Sequence, residues 1–338
     1  MIARLFLVIG LLLPAAAAAQ DRPPIFTTEL GGPRLTVSAR AATGTQPKSV
    51  AVSPDGTRVV VCNFGRPDHD NVWVYDAETL ERVGAVHFEG NAVETAFGPD
   101  GETLYVSNFR RNVIEVIDFF NLEVRFEIEV GSHPKTIVVS DDGRTLYVAN
   151  YFGRSISVVD LTQRREVRQL PTGEHPRGMG LMSDGTLFAA AFHGDVIHLF
   201  DDGAGPERTR WDVCRYPRDI LPTPSRDAFF LTCSLGHIGF YRADGGGRPF
   251  GIASTGVNPR SIGSTADGRF LGVANFTSSD VSLIDTVART HRRQPVPGAS
   301  RIVGLAMHPG PEIRLYATSW DTAELILMRP REVVGEGG

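Results

Sequence analysis

The sequence HPKTIVVSDDGRTLYVANY, residues 133–151, decides the fold. It contains two short, mainly apolar segments, TIVV and TLYVAN, on either side of a DDG turn. Because Asp and Gly accept the backbone angles of a tight turn, the stretch predicts a β-hairpin. His133, Pro134 and Lys135 precede the first strand, although a strand of this kind does not need them.

The same pattern recurs along the chain. Close copies are QPKSVAVSPDGTRVVVCNF (46–64), HPRGMGLMSDGTLFAAAF (175–192) and NPRSIGSTADGRFLGVANF (258–276), and weaker copies begin at residues 92, 216 and 300. Counted from the residue after the proline, the repeats start near 48, 93, 135, 177, 218, 260 and 301. This is an internal repeat with a period of about 42 residues.

Each repeat continues into a third and a fourth alternating segment, as in RSISVVDL (154–161) and EVRFEIEV (123–130). Four strands per repeat at this period are typical of a β-propeller. We therefore predict an all-β fold, a seven-bladed β-propeller of four-stranded antiparallel blades, formed by residues 21–338 as a single domain. The seventh repeat lacks its fourth strand, and RLTVSAR (34–40) can supply it, so that an N-terminal strand completes the last blade and closes the ring.

The first twenty residues predict a secretory signal peptide. Arg4 provides a positive start, residues 5–13 are apolar, and Ala17, Ala18 and Ala19 form a small-residue cleavage site before Gln20. The apolar stretch is shorter than the roughly 20 residues that span a bilayer, so we expect no membrane span. We expect an exported protein, periplasmic or extracellular.

Overall charge argues against a general nucleic-acid or acidic-membrane binder. The formal net charge is -5, and removal of Arg4 with the signal peptide changes it to -6. Any site for an anion must therefore be local.

Within the repeats, TLYVSNF, TLYVANY and FLGVANF each follow a DG turn and precede a strand such as VIEVID. These residues resemble the YVTN family of β-propeller repeats, and the exported seven-repeat layout resembles its YncE-like members. The resemblance covers residues 45–330, and it implies the fold. It implies little about activity, because the family is functionally mixed. Ala191, Cys233 and Ser319 replace the asparagine of the pattern in repeats 4, 5 and 7.

Hairpin geometry predicts a candidate ligand-binding surface. The first strand of a hairpin begins where the second ends, so the residue after each proline should lie near the Asn-aromatic pair. In six of seven repeats we assign a basic residue to that position: Lys48, Lys135, Arg177, Arg218, Arg260 and Arg301, with Val93 as the exception. The polar column at the second-strand end contains Asn63, Asn108, Asn150 and Asn275. The aromatic column after it contains Phe64, Phe109, Tyr151, Phe192, Phe276 and Trp320.

His133 and His175 precede their prolines, and we expect them over the same channel mouth. The hypothesis is a positively charged, aromatic-rimmed funnel that binds an anionic small molecule, an anionic polymer or a protein partner. In the alternative interpretation, the basic residues pair between blades, the asparagines bond local backbone and the aromatics pack blade on blade. Strict alternation would put Lys135 in phase with Ile137, so the sequence leaves open whether the basic residues face the channel or the blade interfaces.

The sequence gives little support for catalysis, since no nucleophile elbow, HExxH, haem or phosphate-loop motif occurs. We predict no catalytic residue, no cofactor and no metal site. Asp68, His69 and Asp70 are a weak metal candidate, because adjacent loop residues rarely complete a site. The alternative function is a propeller hydrolase of lactonase type, with His133 or His175 as general base and the arginines stabilising the oxyanion. Single-stranded nucleic acid stacking on the aromatics is a third, less favoured partner. The sequence does not define the oligomeric state.

Three cysteines in an exported chain suggest a disulfide. Cys214 precedes the inner strand of repeat 5 and Cys233 ends the second strand of the same hairpin, so both fall at one end of one blade. We predict that these two are bonded. Cys62 lies inside an apolar strand and should be buried.

Overall fold

The computed structural model describes residues 23–28, 33–66, 70–201 and 205–331. Over these residues the chain forms 29 β-strands in seven sheets, without a helix. Accordingly, no helix able to cross a membrane is found in the described part of the chain. The predicted signal peptide, residues 1–20, lies outside the described residues and stays a prediction.

Blades 1 to 3 are antiparallel sheets of four consecutive strands. Blade 1 consists of β3 (Pro47–Val52), β4 (Arg58–Asn63), β5 (Val72–Asp76) and β6 (Arg82–Val86). Blade 2 consists of β7 (Ala92–Phe97), β8 (Thr103–Asn108), β9 (Val113–Asp118) and β10 (Glu123–Glu129). Blade 3 consists of β11 (Pro134–Val139), β12 (Thr145–Asn150), β13 (Ser155–Asp160) and β14 (Arg165–Pro171).

Blades 4 to 6 repeat the arrangement. Blade 4 consists of β15 (Pro176–Leu181), β16 (Leu187–Ala191), β17 (Val196–Phe200) and β18 (Glu207–Asp212). Blade 5 consists of β19 (Pro217–Pro222), β20 (Ala228–Cys233), β21 (His237–Arg242) and β22 (Pro249–Ser254). Blade 6 consists of β23 (Pro259–Ser264), β24 (Phe270–Asn275), β25 (Asp280–Asp285) and β26 (Thr290–Pro295).

Blade 7 is shared between the two ends of the chain. It contains β27 (Ile302–Met307), β28 (Leu315–Ser319), β29 (Glu324–Pro330) and, paired antiparallel with β29, the N-terminal strand β2 (Leu35–Ala42). The predicted seven-bladed, all-β fold and its closure by an N-terminal strand are confirmed. The sequence analysis did not predict β1 (Thr27–Thr28), which runs parallel to β26 as a fifth strand on blade 6.

The innermost strands of adjacent blades contact one another, and β27 contacts β3 to complete the circle. Apolar side chains fill the spaces between blades: Val59 and Tyr75 of blade 1, for example, pack against Tyr316 and Leu325 of blade 7. Each such buried side chain contributes roughly 1.5–3 kcal/mol of stabilisation. The packed blades hold the seven inner strands around one central channel.

A β-bulge lies directly after the first residue of each inner strand. In blade 3, Pro134 pairs with Asn150 and Ile137 with Val148, so Lys135 and Thr136 both oppose Ala149. The same shift of register occurs in the other six inner strands. A bulge redirects the side chains next to it, because strict alternation is interrupted there. The side chain of Lys135 therefore does not have to point in the same direction as that of Ile137, and it lines the channel.

Candidate functional site

The residue before each inner strand fixes the geometry of the channel mouth. In six blades this residue has a positive φ although it is not glycine: Gln46 (53°), His133 (58°), His175 (39°), Tyr216 (54°), Asn258 (60°) and Arg301 (57°). Its carbonyl accepts a hydrogen bond from the backbone N–H that follows the second strand, as in Tyr151 to His133 (3.0 Å) and Trp320 to Arg301 (3.1 Å). The left-handed conformation is costly for a side chain, and this recurring bond holds it in place.

This register corrects the position of Arg301. Ile302 pairs with Ser319 as Pro134 pairs with Asn150, so the blade 7 counterpart of Lys135 is Val303. Arg301 occupies the preceding position, where its side chain is 54% exposed and forms an ion pair with Asp321 at 3.3 Å. Blade 7 has no proline to mark the start of its inner strand. The prediction relied on residue type alone and placed Arg301 where the structure has Val303.

The other five basic residues meet at one cavity inside the channel. We call Lys48, Lys135, Arg177, Arg218 and Arg260 the cation ring. They line a cavity of about 80 Å³ together with two carboxylates, Glu94 and Asp219. The carboxylates each follow the ring position of their own strand by one residue. The ring positions of blades 2 and 7 hold Val93 and Val303, so the circle of charge is incomplete.

The positive charges of the cation ring are not neutralised by ion pairs. No nitrogen of the ring lies within 4.0 Å of a carboxylate oxygen among the described residues. Arg218 Nε donates to Ser234 Oγ at 2.8 Å, whereas Arg260 Nε is buried without a hydrogen-bond partner. Five basic groups face two acidic groups, so the cavity carries an excess of three positive charges when all seven are ionised.

Burial and crowding shift the pKa values of these groups. Desolvation, followed by repulsion from Arg177, lowers the pKa of Lys48 to about 7, and the same causes lower the pKa of Lys135 well below its usual value. Burial, followed by the charge of Glu94, raises the pKa of Asp219 to about 7. Guanidinium groups keep their proton at neutral pH. This cluster of buried cations is therefore electrostatically costly, since buried charges are stabilising only when they are compensated.

The predicted aromatic column lies next to the cation ring. Its six rings are half-buried, and several lie under a cation: Arg260 is 3.3 Å from the centroid of Phe276, and Lys135 is 3.6 Å from that of Tyr151. A second cavity of about 240 Å³ joins Phe64, Phe109, Val93 and Trp320 to four members of the ring. The structure thus brings the basic and aromatic columns together at one mouth.

The four asparagines do not reach this mouth. Asn63, Asn108, Asn150 and Asn275 are at most 3% exposed. The second strand ends with each of these side chains turned into its blade, where Asn150 Nδ2 donates to Ser157 Oγ at 2.8 Å. Asn275 does the same with Ser282, and Asn108 with the carboxylate of Glu115. The hydrogen bonds of these three are local and structural, whereas Asn63 is buried without a side-chain hydrogen-bond partner among the described residues.

His133 and His175 lie in a continuous arc of aromatic contacts on the mouth face. The His133 ring is 4.6 Å from that of Phe109 and 4.8 Å from that of Phe152. The His175 ring is 4.6 Å from that of Tyr151 and 4.8 Å from that of His193. The sequence analysis missed Phe152 and His193, because they follow the aromatic column at a position where the repeats share no residue type.

A hydrolase would need a histidine and a carboxylate within hydrogen-bond reach at the mouth. The closest such contact of His133 or His175 in the described structure joins His175 Nδ1 to Glu174 Oε2 at 3.6 Å, beyond hydrogen-bond distance. His133 Nδ1 instead contacts Ser132 Oγ at 2.7 Å. Neither candidate base is coupled to a carboxylate, so the geometry does not favour the hydrolase alternative.

Cys214 and Cys233 form a disulfide, with their Cα atoms 5.9 Å apart, and Cys62 is a buried free thiol. Among the described residues, the one grouping with metal-ligand spacing is Cys214, Cys233 and His237. Its two sulfurs are already bonded to each other and so cannot act as thiolate ligands. The loop with Asp68 and His69 falls within residues 67–69, outside the described residues.

Comparisons with known proteins agree with this architecture. At the level of the fold, the chain is similar to Kuenenia stuttgartiensis hydrazine synthase, with a TM-score of 0.73, 20% identity and coverage of 86% of this chain and 97% of the other. It is also similar to the Myceliophteria thermophila Cps50 (Swd1) β-propeller domain, with a TM-score of 0.74, 12% identity and coverage of 88% and 100%. No curated protein matches the chain significantly.

The family comparison is more specific. The model of YncE-like β-propellers matches residues 36–185, which include blades 1 to 3 and the inner strand of blade 4. The remaining blades continue the same strand order and register around the ring. Residues 36–185 are thus similar to the YncE-like β-propeller family.

Proposed function

We propose that this protein is an exported, non-enzymatic propeller that binds an anionic ligand at the mouth of its central channel. One observation carries the proposal: five basic side chains share a small cavity with only two carboxylates and without an ion pair to either. An anion at that point would compensate a charge excess that the described protein groups leave unpaired.

The chemistry of the ring favours an oxyanion. Arginine binds carboxylate, sulfate and phosphate groups through two parallel N–H bonds, and three arginines contribute to the cavity. A volume of about 80 Å³ admits one such group together with a few water molecules. The anionic group could belong to a small molecule, to a polymer or to a partner protein, since the ring contacts only the charged end.

A different cavity of the described structure supports this function less well. It has a volume of about 590 Å³ and lies on the opposite face, beside the hairpin turns of blades 1 and 2. The carboxylates of Asp55 and Asp100 are there engaged with the backbone of their own turns, Asp55 with Thr57 N at 3.0 Å and Asp100 with Thr103 N at 3.0 Å. These groups serve the turns and are not free for a ligand.

Action outside the cytoplasm is part of the proposal. It is supported by the residue pattern of positions 1–20 and by the Cys214–Cys233 disulfide, because disulfides persist mainly in oxidising compartments. A ligand of the periplasm or the surrounding medium is therefore expected.

The test is a calorimetric titration of the mature protein with sulfate, at constant ionic strength and millimolar concentration. We expect saturable binding of one sulfate by the wild-type protein and no binding by the Arg177→Ala/Arg260→Ala double variant. Arg301→Ala is the matched control, since Arg301 lies on the same face but outside the cavity, and it should bind as the wild type does. Equal binding by the wild type and the double variant, or no binding by either, would refute the proposal.

A further inference from the structure

The channel mouth has two chemically different halves. Lys135, Arg177, Arg218 and Arg260 stand on four consecutive blades, 3 to 6. In the other half, Lys48 of blade 1 stands between Val93 of blade 2 and Val303 of blade 7. Both valines are buried, at 1% and 2% exposure. The positive charge is therefore concentrated on one side of the channel.

The aromatic wall of the larger cavity belongs to the other side. Its rings come from blades 7, 1 and 2: Trp320, Phe64 and Phe109. The centroid of Phe64 is 5.8 Å from that of Phe109 and 6.1 Å from that of Trp320. With Val93, these rings form an apolar wall opposite the four consecutive cations.

The two cavities are neighbours. Lys48, Lys135, Arg177 and Arg260 line both of them, so a ligand that lies against the aromatic wall of the larger cavity is also next to cations of the ring. An engineered cavity of about 150 Å³ is large enough for benzene. The 240 Å³ cavity thus has room for an aromatic ring, and the 80 Å³ cavity has not.

We propose that the ligand is an organic anion that carries an aromatic ring. Its charged group contacts the cations of blades 3 to 6, and its ring lies against Phe64, Phe109 and Trp320. This inference rests on the proposed function, since it names the chemical class of the anion. A flat ring fits this wall better than a saturated one, because aromatic side chains interact favourably with the faces and edges of other rings.

The test compares methanesulfonate, cyclohexanesulfonate and benzenesulfonate by calorimetric titration. All three carry the same singly charged group, so they differ only in the body attached to it. We expect benzenesulfonate to bind at least about tenfold more tightly than methanesulfonate, and more tightly than cyclohexanesulfonate. Phe64→Leu and Trp320→Leu should each reduce the preference for benzenesulfonate while methanesulfonate binding persists, which also shows that the variants are folded.

Phe152→Leu is the control, because Phe152 is 54% exposed on the same face and does not line either cavity. It should leave the preference unchanged. Equal affinity for all three sulfonates, or for the two ring compounds, would overturn the aromatic assignment while leaving anion binding intact. Failure of every sulfonate and of sulfate to bind would instead refute the proposed function itself.

Discussion

The guanidinium carbon of Arg260 lies 3.3 Å from the centroid of the Phe276 ring, while Nε of the same arginine has no hydrogen-bond partner among the described residues. The aromatic face stabilises the cation but cannot accept all of its hydrogen bonds. Burial, followed by repulsion from Arg177, lowers the pKa of Arg260 to about 10, so the group keeps its proton at neutral pH. The site therefore holds a charged guanidinium group with an unsatisfied hydrogen-bond donor.

Replacement of this charge should stabilise the empty protein. We expect Arg260→Met to raise the melting temperature in anion-free buffer by about 2 °C or more, because it removes a desolvated charge and its repulsion from the other cations. Sulfate should stabilise the variant less than the wild type. Differential scanning calorimetry, with and without sulfate, measures both effects.

Arg269→Met is the matched control, since Arg269 forms an ion pair with Asp285 at 3.1 Å outside the channel. It should leave the melting temperature unchanged or lower it slightly. A lower melting temperature for Arg260→Met in anion-free buffer would indicate that the cation ring binds the blades together and is not maintained for a ligand.

Glu115 provides a separate test of buried charge within a blade. It is fully buried and accepts a hydrogen bond from Asn108 at 2.8 Å, and burial raises its pKa to about 7 from an ordinary 4.5. The folded state therefore holds a proton that the unfolded state loses between about pH 4.5 and 7, so stability falls as the pH rises through that range. We expect Glu115→Gln to raise the melting temperature at pH 8 and to have little effect at pH 4.5.

The contrasting variant is Glu129→Gln, because Glu129 is exposed on the outer strand of the same blade. It should give no stabilisation at pH 8. A lower melting temperature for Glu115→Gln at both pH values would contradict this expectation. It would mean that the carboxyl group makes a stabilising contact that glutamine cannot replace.

The disulfide should contribute substantially to stability. It joins residues 19 positions apart, and a loop of that length predicts about 3 kcal/mol of stabilisation from chain entropy. We expect the Cys214→Ser/Cys233→Ser variant to lose about that free energy of unfolding in urea titrations. Addition of a reductant to the wild type should reproduce the loss, and a reductant-insensitive midpoint would show that the bond is not formed.

The repeat pattern predicted the fold because one spacing recurs in every blade. The basic residue after Pro47, Pro134, Pro176, Pro217 and Pro259 could be placed for the same reason, since the proline marks the bulged start of each inner strand. Blade 7 lacks that marker, so Arg301 was assigned to the position that Val303 occupies. The residue type favoured the wrong register where the backbone signal was missing.

Side-chain direction was harder to predict than position. The asparagine column lies at the mouth end of its blades, yet Asn108, Asn150 and Asn275 turn inward because serine or glutamate on the neighbouring strand accepts a hydrogen bond from each. The contacts of Phe152 and His193 arise from tertiary packing, which a repeat alignment does not contain. The apolar residues that blades 7, 1 and 2 place around Lys48 come together only when the ring is closed. The order of the repeats in the sequence therefore did not predict this grouping.

The pH dependence of anion binding tests the cation ring most directly. Desolvation lowers the pKa of Lys48 to about 7, and burial raises that of Asp219 to about 7. As the pH rises from 6 to 8, Lys48 loses its positive charge and Asp219 gains a negative one, so the empty cavity becomes less positive by up to two charges. Sulfate keeps its charge throughout this range. We expect its affinity to fall by at least about tenfold between pH 6 and 8 in calorimetric titrations.

Two variants separate the contributions of the titrating groups. Lys48→Arg keeps a positive charge at pH 8, and Asp219→Asn removes the carboxylate, so each should weaken the pH dependence and the pair together should weaken it more than either alone. Glu174→Gln is the control, since Glu174 is a surface carboxylate on the same face. It should leave the pH profile unchanged. A sulfate affinity that does not vary between pH 6 and 8 in the wild type would show that neither Lys48 nor Asp219 titrates against the bound anion.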